Sequence, residues 1–384
     1  MIGKQDCTSG IAMEDEAKKQ IPPLRYGMTK KRCAPFFCGF IAKEWGLLAL
    51  SVAVTAIAAP LRSPWDGHKI KQTNAPYTCG PILHLAPDLT TNSFYRLDDP
   101  THSIVDPVRM AEYQRTADGV KAVGAAVVAA ADAYRTTGSR IALRCATQQT
   151  LSLAKENALG GRMSSTQAMY VQGWEAGAIA IAYLKVREDA GLALADDKLI
   201  GSWLLRLGNA TLGYYDGQRA KGDKGNNHLY WAGTELIAVG TVANDRAAFD
   251  WGIGTYEDGV KEIQPDGTLP REMSRGQRAL HYHFYALAPL VLTAEFGEAN
   301  GIDLYAYADG AIHRLVKACL AGVKDKDLFA KPAGASQEFP EVLTGDQIGW
   351  APPYLRRFPN AELAKLAAAA PSLSVPYLGG LPPQ

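Results

Sequence analysis

Eight successive stretches with helical periodicity occupy the middle of the chain, from Pro107 to about Asp325. In each stretch apolar residues recur at spacings of three and four, the period of one face of an α-helix. Gly, Asn, Asp or Pro bounds each stretch, and no run shows the strict alternation that is typical of a half-buried strand. The sequence therefore predicts an all-α protein, with helices over Val108–Arg135, Arg140–Ala158, Ser164–Ala190, Asp196–Gln218, Asn227–Val242, Arg246–Glu262, Ser274–Glu298 and Tyr305–Val323.

The links between these helices are short, which is typical of helical hairpins with antiparallel neighbours. No strict sequence period is visible, so a repeat of fixed length is not indicated. Consecutive hairpins that each bury one apolar stripe can form a bundle, a solenoid or a closed toroid. Periodicity alone does not decide among these three.

Both flanks of the helical region are rich in Pro and Gly. Residues 59–106 contain six prolines and carry Tyr95 and Arg96 in their second half, and we interpret them as a loop-rich N-terminal lid segment. A surface segment without a ligand role is the alternative. After Lys331 one short helix is predicted over Asn360–Ala370. We therefore expect one folded domain over 59–370 and a flexible tail over 371–384.

The N-terminus has the features of a secretory signal. Basic residues Lys30-Lys31-Arg32 and Lys43 precede an apolar run over 45–59, which is shorter than the roughly 20 residues of a membrane span. Ala56-Ile57-Ala58 fits a small-x-small cleavage site. We predict a signal peptide within 1–58 and a periplasmic protein, with Met28 as a plausible true start. An uncleaved signal anchor is the alternative.

Cysteine usage predicts one disulfide bond. Of six cysteines, three precede the predicted cleavage site, and Cys79, Cys145 and Cys319 remain. An odd number in an oxidising compartment indicates one bridge and one free thiol. Cys319 lies on an apolar helical face and is expected to be buried and unreactive. We therefore predict a bond between Cys79 and Cys145. No zinc-binding spacing is present.

Net charge gives no argument for nucleic acid, because 40 Lys and Arg balance 39 Asp and Glu. An anionic ligand needs local positive charge instead. Pro265–Leu287 offers it, since Arg275, Arg278 and Tyr282 fall at i, i+3 and i+7 and share one helical face. Ser274 is the expected N-cap of this helix.

A second polar and aromatic cluster lies upstream, in the sequence GNNHLYW that begins at Gly225. Asn226 or Asn227 can cap the helix that follows. The free N–H groups and partial positive charge of a helix N-terminus suit a carboxylate. A cap beside packed aromatic residues, without any ligand, is the simpler alternative for this cluster alone.

Together, NNHLYWAG and DGTLPREMSRGQRALHYHFYAL resemble the paired signatures of the alginate lyase family, polysaccharide lyase family five. The resemblance extends from Ala75 to about Val323. It implies an incomplete α/α toroid with a deep cleft, and cleavage of uronate polymers by β-elimination without a metal or organic cofactor. By position it also implies that the catalytic residues are Asn227, His228, Arg275 and Tyr282, with Trp231 as the tryptophan of the cleft.

These residue types suit an elimination. The reaction removes the proton at C5, beside the C6 carboxylate, and expels the oxygen at C4. Arg275 and Asn227 are expected to bind the carboxylate and stabilise the developing negative charge. Arg275 is expected to lower the pKa of Tyr282, which then transfers protons. His228 would act as the base when C5–H and O4 lie on opposite faces, and Tyr282 could do both tasks when they share one face.

Substrate preference is expected to depend on the lid. Alginate-cleaving relatives tend to carry a lysine there, whereas Thr90–Pro100 has Tyr95 and Arg96 but no lysine. We predict that both contact the polymer, together with Arg278 and His281. Alginate, as polymannuronate, is the expected substrate, with polyglucuronate or a glucuronate-containing exopolysaccharide as the alternative. We expect a monomer that binds no nucleic acid and is not inserted in a membrane after signal cleavage.

Three other functions fit parts of the sequence. A metal hydrolase would use His228, His281 and His283, although His281 and His283 diverge on a helix. A glycoside hydrolase would need two cleft carboxylates, from Asp266, Glu272 or Glu235. A non-catalytic polyuronate-binding protein would need the arginines and Trp231 alone.

Overall fold

The computed structural model describes residues 59–223 and 225–383, and α-helices make up most of this part of the chain. Only isolated β-bridges accompany them in these ranges. The all-α prediction is confirmed, while the predicted signal over 1–58 lies outside the described residues. The helices are α1 (Pro107–Thr137), α2 (Arg140–Lys155), α3 (Thr166–Val186), α4 (Leu194–Ala220), α5 (Asn227–Ala243), α6 (Arg246–Lys261), α7 (Pro270–Met273), α8 (Ala279–Ala299), α9 (Tyr307–Lys324), α10 (Asp327–Ala333), α11 (Gly345–Ile348), α12 (Ala351–Arg357) and α13 (Ala361–Ala369).

Local side-chain hydrogen bonds set many of the helix boundaries. Asp106 caps α1, where its carboxylate accepts from the N–H groups of Val108 and Arg109. Gly138, with φ of 73°, ends α1 in the left-handed conformation that favours glycine. Ser139 then accepts from the backbone of Ala142 and starts α2 within one residue. The tight turn makes α1 and α2 antiparallel neighbours.

The long helices form two layers. Helices α1, α3, α5 and α8 contact one another in that order and form the inner row, and α2, α4, α6 and α9 pack outside them. Each inner helix is followed along the chain by an outer one. This arrangement is an incomplete α/α toroid, as the resemblance implied.

The inner helices are apolar on nearly every side because neighbours surround them. Most residues of α3, α5 and α8 are buried, whereas α2 and α6 bury one stripe. Helices α5 and α6 approach so closely that a Cβ at Gly252 would lie 2.5 Å from the carbonyl oxygen of Gly233. These rigid inner walls are where the two motif regions meet.

Residues 59–91 form a strap across the ends of the hairpins. The amide of Leu61 donates to Asn244 Oδ1 at 2.9 Å, at the turn between α5 and α6. The amide of Thr73 donates to the carbonyl of Gly138 at 2.8 Å, at the turn between α1 and α2. Only the following residues, 92–106, approach the cleft. The lid interpretation therefore applies to the second half of the segment.

The C-terminal segment differs from the prediction. Residues 371–383 are packed on α1 and α3, and the expected flexible tail is wrong for them. The cause is the buried ammonium of Lys185, which donates to the carbonyls of Gly379 and Leu381 and to Asp132. Val375 and Leu378 are buried as well. A buried cation needs such partners, and the tail supplies them.

The helix predicted from Ser274 begins later. Ser274 ends the short helix α7, a 3-10 turn covers Gly276–Arg278, and α8 starts at Ala279. Gly276 has a φ of 56°, which a right-handed helix does not allow. Arg275 therefore stands at a bend, one turn before the regular helix.

No helix in the described ranges is both long enough and apolar enough to cross a bilayer.

The structure has the disulfide bond that the sequence predicts. Cys79 and Cys145 are bonded, with Cα atoms 5.7 Å apart, and link the strap to α2. Cys319 is buried and free. The strap is therefore tied covalently to the outer layer.

Removing this bond should destabilise the protein. It closes a loop with a sequence separation of 66, for which loop entropy gives about 4 kcal/mol. We expect Cys79→Ser combined with Cys145→Ser to lower the unfolding free energy by about 2–4 kcal/mol in a urea titration. Dithiothreitol should lower the stability of the wild type and leave the double variant unchanged. Equal stability of oxidised and reduced wild type would contradict the prediction.

Candidate active site

An open cleft of about 710 Å³ lies where the two motif regions face the second half of segment 59–106. Its lining contains three arginines and three histidines but no aspartate or glutamate. The wall residues come from α1, α3, the start of α5, the bend before α8, the first turns of α8 and the loop, and are Asn92, Ser93, Phe94, Tyr95, His102, Arg109, Ser165, Thr166, Gln167, Tyr170, Trp174, Asn226, His228, Arg275, Arg278, His281, Tyr282 and Tyr285. Such a cleft favours an anionic ligand.

Arg275 is buried, with 8% of its surface exposed, and three groups hold its guanidinium. Nε donates to the carbonyl of Thr101 at 2.9 Å, and Nη2 donates to that of His102 at 2.6 Å. The guanidinium also stacks on the ring of Tyr282, 3.6 Å from its centroid. No carboxylate forms an ion pair with it among the described residues. The positive charge is thus fixed in place without a salt-bridge partner in the described ranges, and the buried carboxyl of Glu272 interacts with it only at longer range.

Asp99 shapes the loop that holds Arg275. Its carboxylate accepts from the amides of Ser103 and Ile104, each at 2.7 Å, and from the amide and hydroxyl of Thr101. Burial on its own raises the pKa of Asp99, but these hydrogen bonds outweigh it and hold the pKa below its usual value. The ionised carboxylate closes the turn that presents two backbone carbonyls to the guanidinium.

Tyr282 is buried beside Arg275 and donates to, or accepts from, the hydroxyl of Tyr95 at 2.7 Å. Tyr95 also lies 3.5 Å from Nη1 of Arg278. Burial raises the pKa of Tyr282, and this effect exceeds the lowering by Arg275. The expectation of a lowered pKa is therefore wrong for the free enzyme, in which Tyr282 is a neutral phenol.

His228 forms part of the wall opposite. Its ring stacks on Tyr170 with centroids 4.1 Å apart and planes at 11°, and Trp174 stacks at 5.9 Å. The amide of His228 donates to the side chain of Asn226, the N-cap of α5. Burial, reinforced by Arg275, lowers the pKa of His228 to about 3. The imidazole is neutral at physiological pH.

Asn227 lies behind the cleft wall, contrary to the expectation that it binds a substrate carboxylate. It is fully buried, and its amide N–H and Nδ2 donate to the two oxygens of Glu272, each at 2.7 Å. The physical reason is that a buried carboxylate needs donors, and the first residue of α5 provides two. Glu272 and Asn227 thereby hold the two motif regions together.

Trp231 also lies behind the wall and not in the cleft. Its indole packs on Tyr285 with centroids 4.6 Å apart, and Nε1 donates to the carbonyl of Tyr285 at 3.2 Å. That carbonyl lacks a helical partner because Pro289, four residues on, has no N–H. Trp231 thus occupies a break in the hydrogen bonding of α8 and supports the cleft from outside.

Of the five residues predicted to contact polymer, including Trp231, three line the cleft, namely Tyr95, Arg278 and His281. Arg96 does not. Its guanidinium forms an ion pair with Asp98, and the side chain is 50% exposed outside the cleft. Successive residues of an extended segment point to opposite sides, so Tyr95 and Arg96 cannot both face the site. The prediction for Arg96 is therefore corrected.

The two alternative enzyme classes, a metal hydrolase and a glycoside hydrolase, lack the residues that they would need in this cleft. Both ring nitrogens of His283 bind backbone groups, Nε2 accepting from Leu269 at 2.8 Å and Nδ1 contacting the carbonyl of Ala279 at 2.7 Å. No cluster of three metal-binding side chains occurs in the described residues. Asp266 lies in a turn with Thr268, and Glu235 and Glu272 are buried. No pair of carboxylates faces a substrate as a glycoside hydrolase requires.

Comparison with known proteins decides the family. Residues 90–329 match the family model described as alginate lyase. A polysaccharide lyase of Stenotrophomonas maltophilia (strain K279a) is 34% identical over 297 residues, which cover 77% of this chain and 86% of that protein. An alginate lyase of Pseudomonas syringae pv. syringae (strain B728a) is 31% identical over 291 residues, covering 74% and 76%.

The chain belongs to the alginate lyase family.

Solved structures agree with this assignment. Alginate lyase A1-III from Sphingomonas species A1 is 26% identical, with a TM-score of 0.62 over 77% of this chain and 84% of that one. A variant of alginate lyase A1-III complexed with a tetrasaccharide is also 26% identical, with a TM-score of 0.64 over 77% and 83%. The protein is a polysaccharide lyase, and its fold is that of these enzymes.

Sequence reasoning missed several wall residues of this lyase. Tyr170 and Trp174 are four apart on α3, a spacing that places two aromatic rings on one face. That signal was available, but aromatic residues in an apolar helix also fit a plain core. His102 has a φ of 47° and holds Arg275 through its carbonyl. No sequence pattern marks a residue that acts through its backbone.

The buried His283 predicts a dependence of stability on pH. Burial lowers its pKa to about 4, below the usual 6.5. Between these values the unfolded chain binds more protons than the folded one, so stability falls as pH drops through this window. We expect urea titrations to show a steeper fall for wild type than for His283→Gln, by up to about 1.4 kcal/mol per pH unit. Exposed His68→Gln should match wild type, and equal slopes in all three would contradict the account.

Proposed function

We propose that this lyase cleaves (1→4)-linked uronate polymers by β-elimination and leaves 4,5-unsaturated uronate ends. Alginate is the favoured substrate. The observation that carries the proposal is the buried guanidinium of Arg275, which faces a cleft without carboxylates and has no ion-pair partner among the described residues. A uronate supplies the missing negative charge at each sugar.

Arg275 binds the C6 carboxylate of the sugar whose C5 proton leaves. The carbanion that develops at C5 is delocalised into that carboxylate, so a fixed cation beside it stabilises the transition state more than the ground state. The carbonyls of Thr101 and His102 keep the guanidinium from turning toward solvent. The site is thus organised before substrate arrives.

Proton transfer falls to Tyr282 and His228. The C5–H bond breaks, its electron pair forms the C4–C5 double bond, and the C4–O4 bond breaks with a proton going to O4. The neutral hydroxyl of Tyr282 protonates O4. When H5 and O4 lie on one face, Tyr282 first releases its hydroxyl proton to solvent on substrate binding; the phenolate, which Arg275 stabilises from 3.6 Å, then accepts the C5 proton and passes it to O4. When they lie on opposite faces, the acceptor would have to be a ring nitrogen of His228 that faces C5 and carries no proton.

Asn227 and Glu272 position these groups. Their paired hydrogen bonds fix the start of α5, and therefore His228, against the bend that carries Arg275. Asn227 thus contributes to the reaction by holding His228 and Arg275 in place, without contact to the substrate. Its role is that of a positioning residue and not of a carboxylate ligand.

Alginate is favoured because the relatives named above include the alginate lyase of Pseudomonas syringae and alginate lyase A1-III. One observation favours polyglucuronate as a second candidate. The loop over Thr90–Pro100 contains no lysine, and Arg278 and His281 stand at the cleft instead. Initial rates on polymannuronate, polyguluronate and polyglucuronate distinguish the two, and a clear preference for polyglucuronate would overturn the alginate assignment.

The lyase acts outside the cytoplasm as a monomer in this proposal. A disulfide bond and the signal-like sequence within 1–58 support export to the periplasm, where an exopolysaccharide is accessible. N-terminal sequencing of protein from the periplasmic fraction tests the first point, and light scattering of the purified enzyme tests the second.

Tyr282→Phe tests the proton-transfer role. The ring that stacks on Arg275 is kept and only the hydroxyl is lost. We expect kcat on polymannuronate to fall at least about 100-fold, because a positioned acid or base contributes about that much. Tyr307→Phe is the matched control, since it removes a half-buried hydroxyl that bonds Glu257 away from the cleft. Near-native turnover of Tyr282→Phe would show that the mechanism is wrong.

Arg278→Ala and Arg96→Ala test where the polymer lies. Arg278 lines the cleft and Arg96 does not, so only Arg278→Ala should raise KM, by about tenfold for one lost charged hydrogen bond. Because a ligand contact away from the reacting bond acts alike on ground and transition states, kcat should be largely kept. A raised KM for Arg96→Ala, with the KM of Arg278→Ala unchanged, would place the bound polymer outside the cleft described here.

A further inference from the structure

A second, much smaller cavity lies directly behind His228. It is about 10 Å³, close to the space that one water molecule needs. Its lining includes His228 on one side and Glu235 on the other, and the hydroxyl-bearing residues Thr211, Tyr214 and Tyr215 complete a polar surround. Neither the sequence motifs nor the elimination chemistry accounts for a carboxyl group at this place.

The carboxyl group of Glu235 fits at this place because a neighbouring position on α3 is a glycine. Thr211 donates to Oε1 at 3.0 Å, while Oε2 is buried and has no hydrogen-bond partner among the described residues. Glycine at 173 on α3 permits this, because a Cβ there would lie 2.6 Å from Oε2. No salt bridge to Glu235 exists within residues 59–223 and 225–383. A fully buried acid without an ion pair or a second hydrogen bond is costly, and so needs a reason.

His228, on the other side of the small cavity, likewise has a buried polar atom without a hydrogen-bond partner among the described residues. This atom is Nδ1. The ring lines both the small cavity and the open cleft. Two unsatisfied polar atoms at one cavity of water size are best explained by a shared partner.

We propose that Glu235 is a positioning residue that acts on His228 through one buried water and so fixes which ring nitrogen carries the proton. The inference rests on the proposed function only for its catalytic meaning, because the hydrogen-bonded link itself depends on the fold alone.

The direction of the hydrogen bonds follows from the charge state of Glu235. Burial raises its pKa well above the usual range, and the hydrogen bond from Thr211 offsets only part of this. This shift favours the neutral, protonated carboxyl. Since Oε1 accepts from Thr211, Oε2 carries the proton and donates to the water, which donates to Nδ1. His228 is then protonated at Nε2, the other ring nitrogen.

This tautomer gives His228 a defined task. Nε2–H donates a hydrogen bond to the C6 carboxylate, beside Arg275, and cannot accept the C5 proton. Tyr282 then makes both proton transfers, which requires H5 and O4 on one face of the sugar. Glu235 therefore restricts the lyase to same-face uronates, and substrates of the opposite geometry should react poorly.

Nuclear magnetic resonance of the full enzyme labelled with ¹⁵N-histidine tests the link without reference to activity. Two-bond ¹H–¹⁵N correlations report the tautomer of each imidazole, and His228→Gln assigns the signal. Wild type should show Nδ1 unprotonated and Nε2 protonated. Glu235→Gln keeps a neutral donor and should keep this pattern, while Glu235→Leu should give a mixture of tautomers. A wild-type signal with Nδ1 protonated would overturn the proposal.

Kinetics provide the second readout. Glu235→Leu should lower kcat on the preferred polymer by about tenfold, the effect of one lost hydrogen bond, with KM within about twofold. Glu235→Gln should recover most of the rate. Glu175→Gln is the matched control, because Glu175 is another buried acid that does not line this cavity. An unchanged tautomer in Glu235→Leu, or loss of the pattern in Glu235→Gln, would refute the link even in a fully active lyase.

Discussion

The site depends on one buried positive charge. Arg275 stands at the bend before α8, held by two backbone carbonyls and stacked on Tyr282, with no carboxylate ion pair among the described residues. Carbonyl dipoles orient a guanidinium but do not cancel its charge. An anionic ligand is the remaining source of compensation, and a uronate brings one to the atom where elimination develops charge. Fixing the cation in advance lowers the reorganisation that the transition state requires.

The fold supplies the rigidity for this arrangement. The inner helices α3, α5 and α8 are buried on nearly all sides, so their side chains have few alternative positions. Glu272 joins the start of α5 to the bend through both donors of Asn227. The loop closed by Asp99 then adds the third wall. Helices carry the proton-transfer groups, and the loop holds the cation.

Much of this could be predicted from the sequence, because helical periodicity and two long motifs carry strong local signals. The all-α fold, the family and the residues His228, Arg275 and Tyr282 follow from them. Side-chain direction does not. Asn227 and Trp231 turn away from the cleft because Glu272 and the carbonyl freed by Pro289 attract them. The tail packs because Lys185 is buried nearly 200 residues earlier. Such long-range polar contacts leave no periodic trace in a sequence.

Analysis of the chain ends that the enzyme produces tests the account most directly. Purified protein is incubated with polymannuronate in the presence of a chelator, and the products are followed by ultraviolet absorbance and mass spectrometry. Elimination predicts a rise in absorbance from the new C4–C5 double bond, and new non-reducing ends that are lighter than hydrolysis products by one water. Saturated ends with the mass of hydrolysis products, or no cleavage of any polyuronate, would contradict the account.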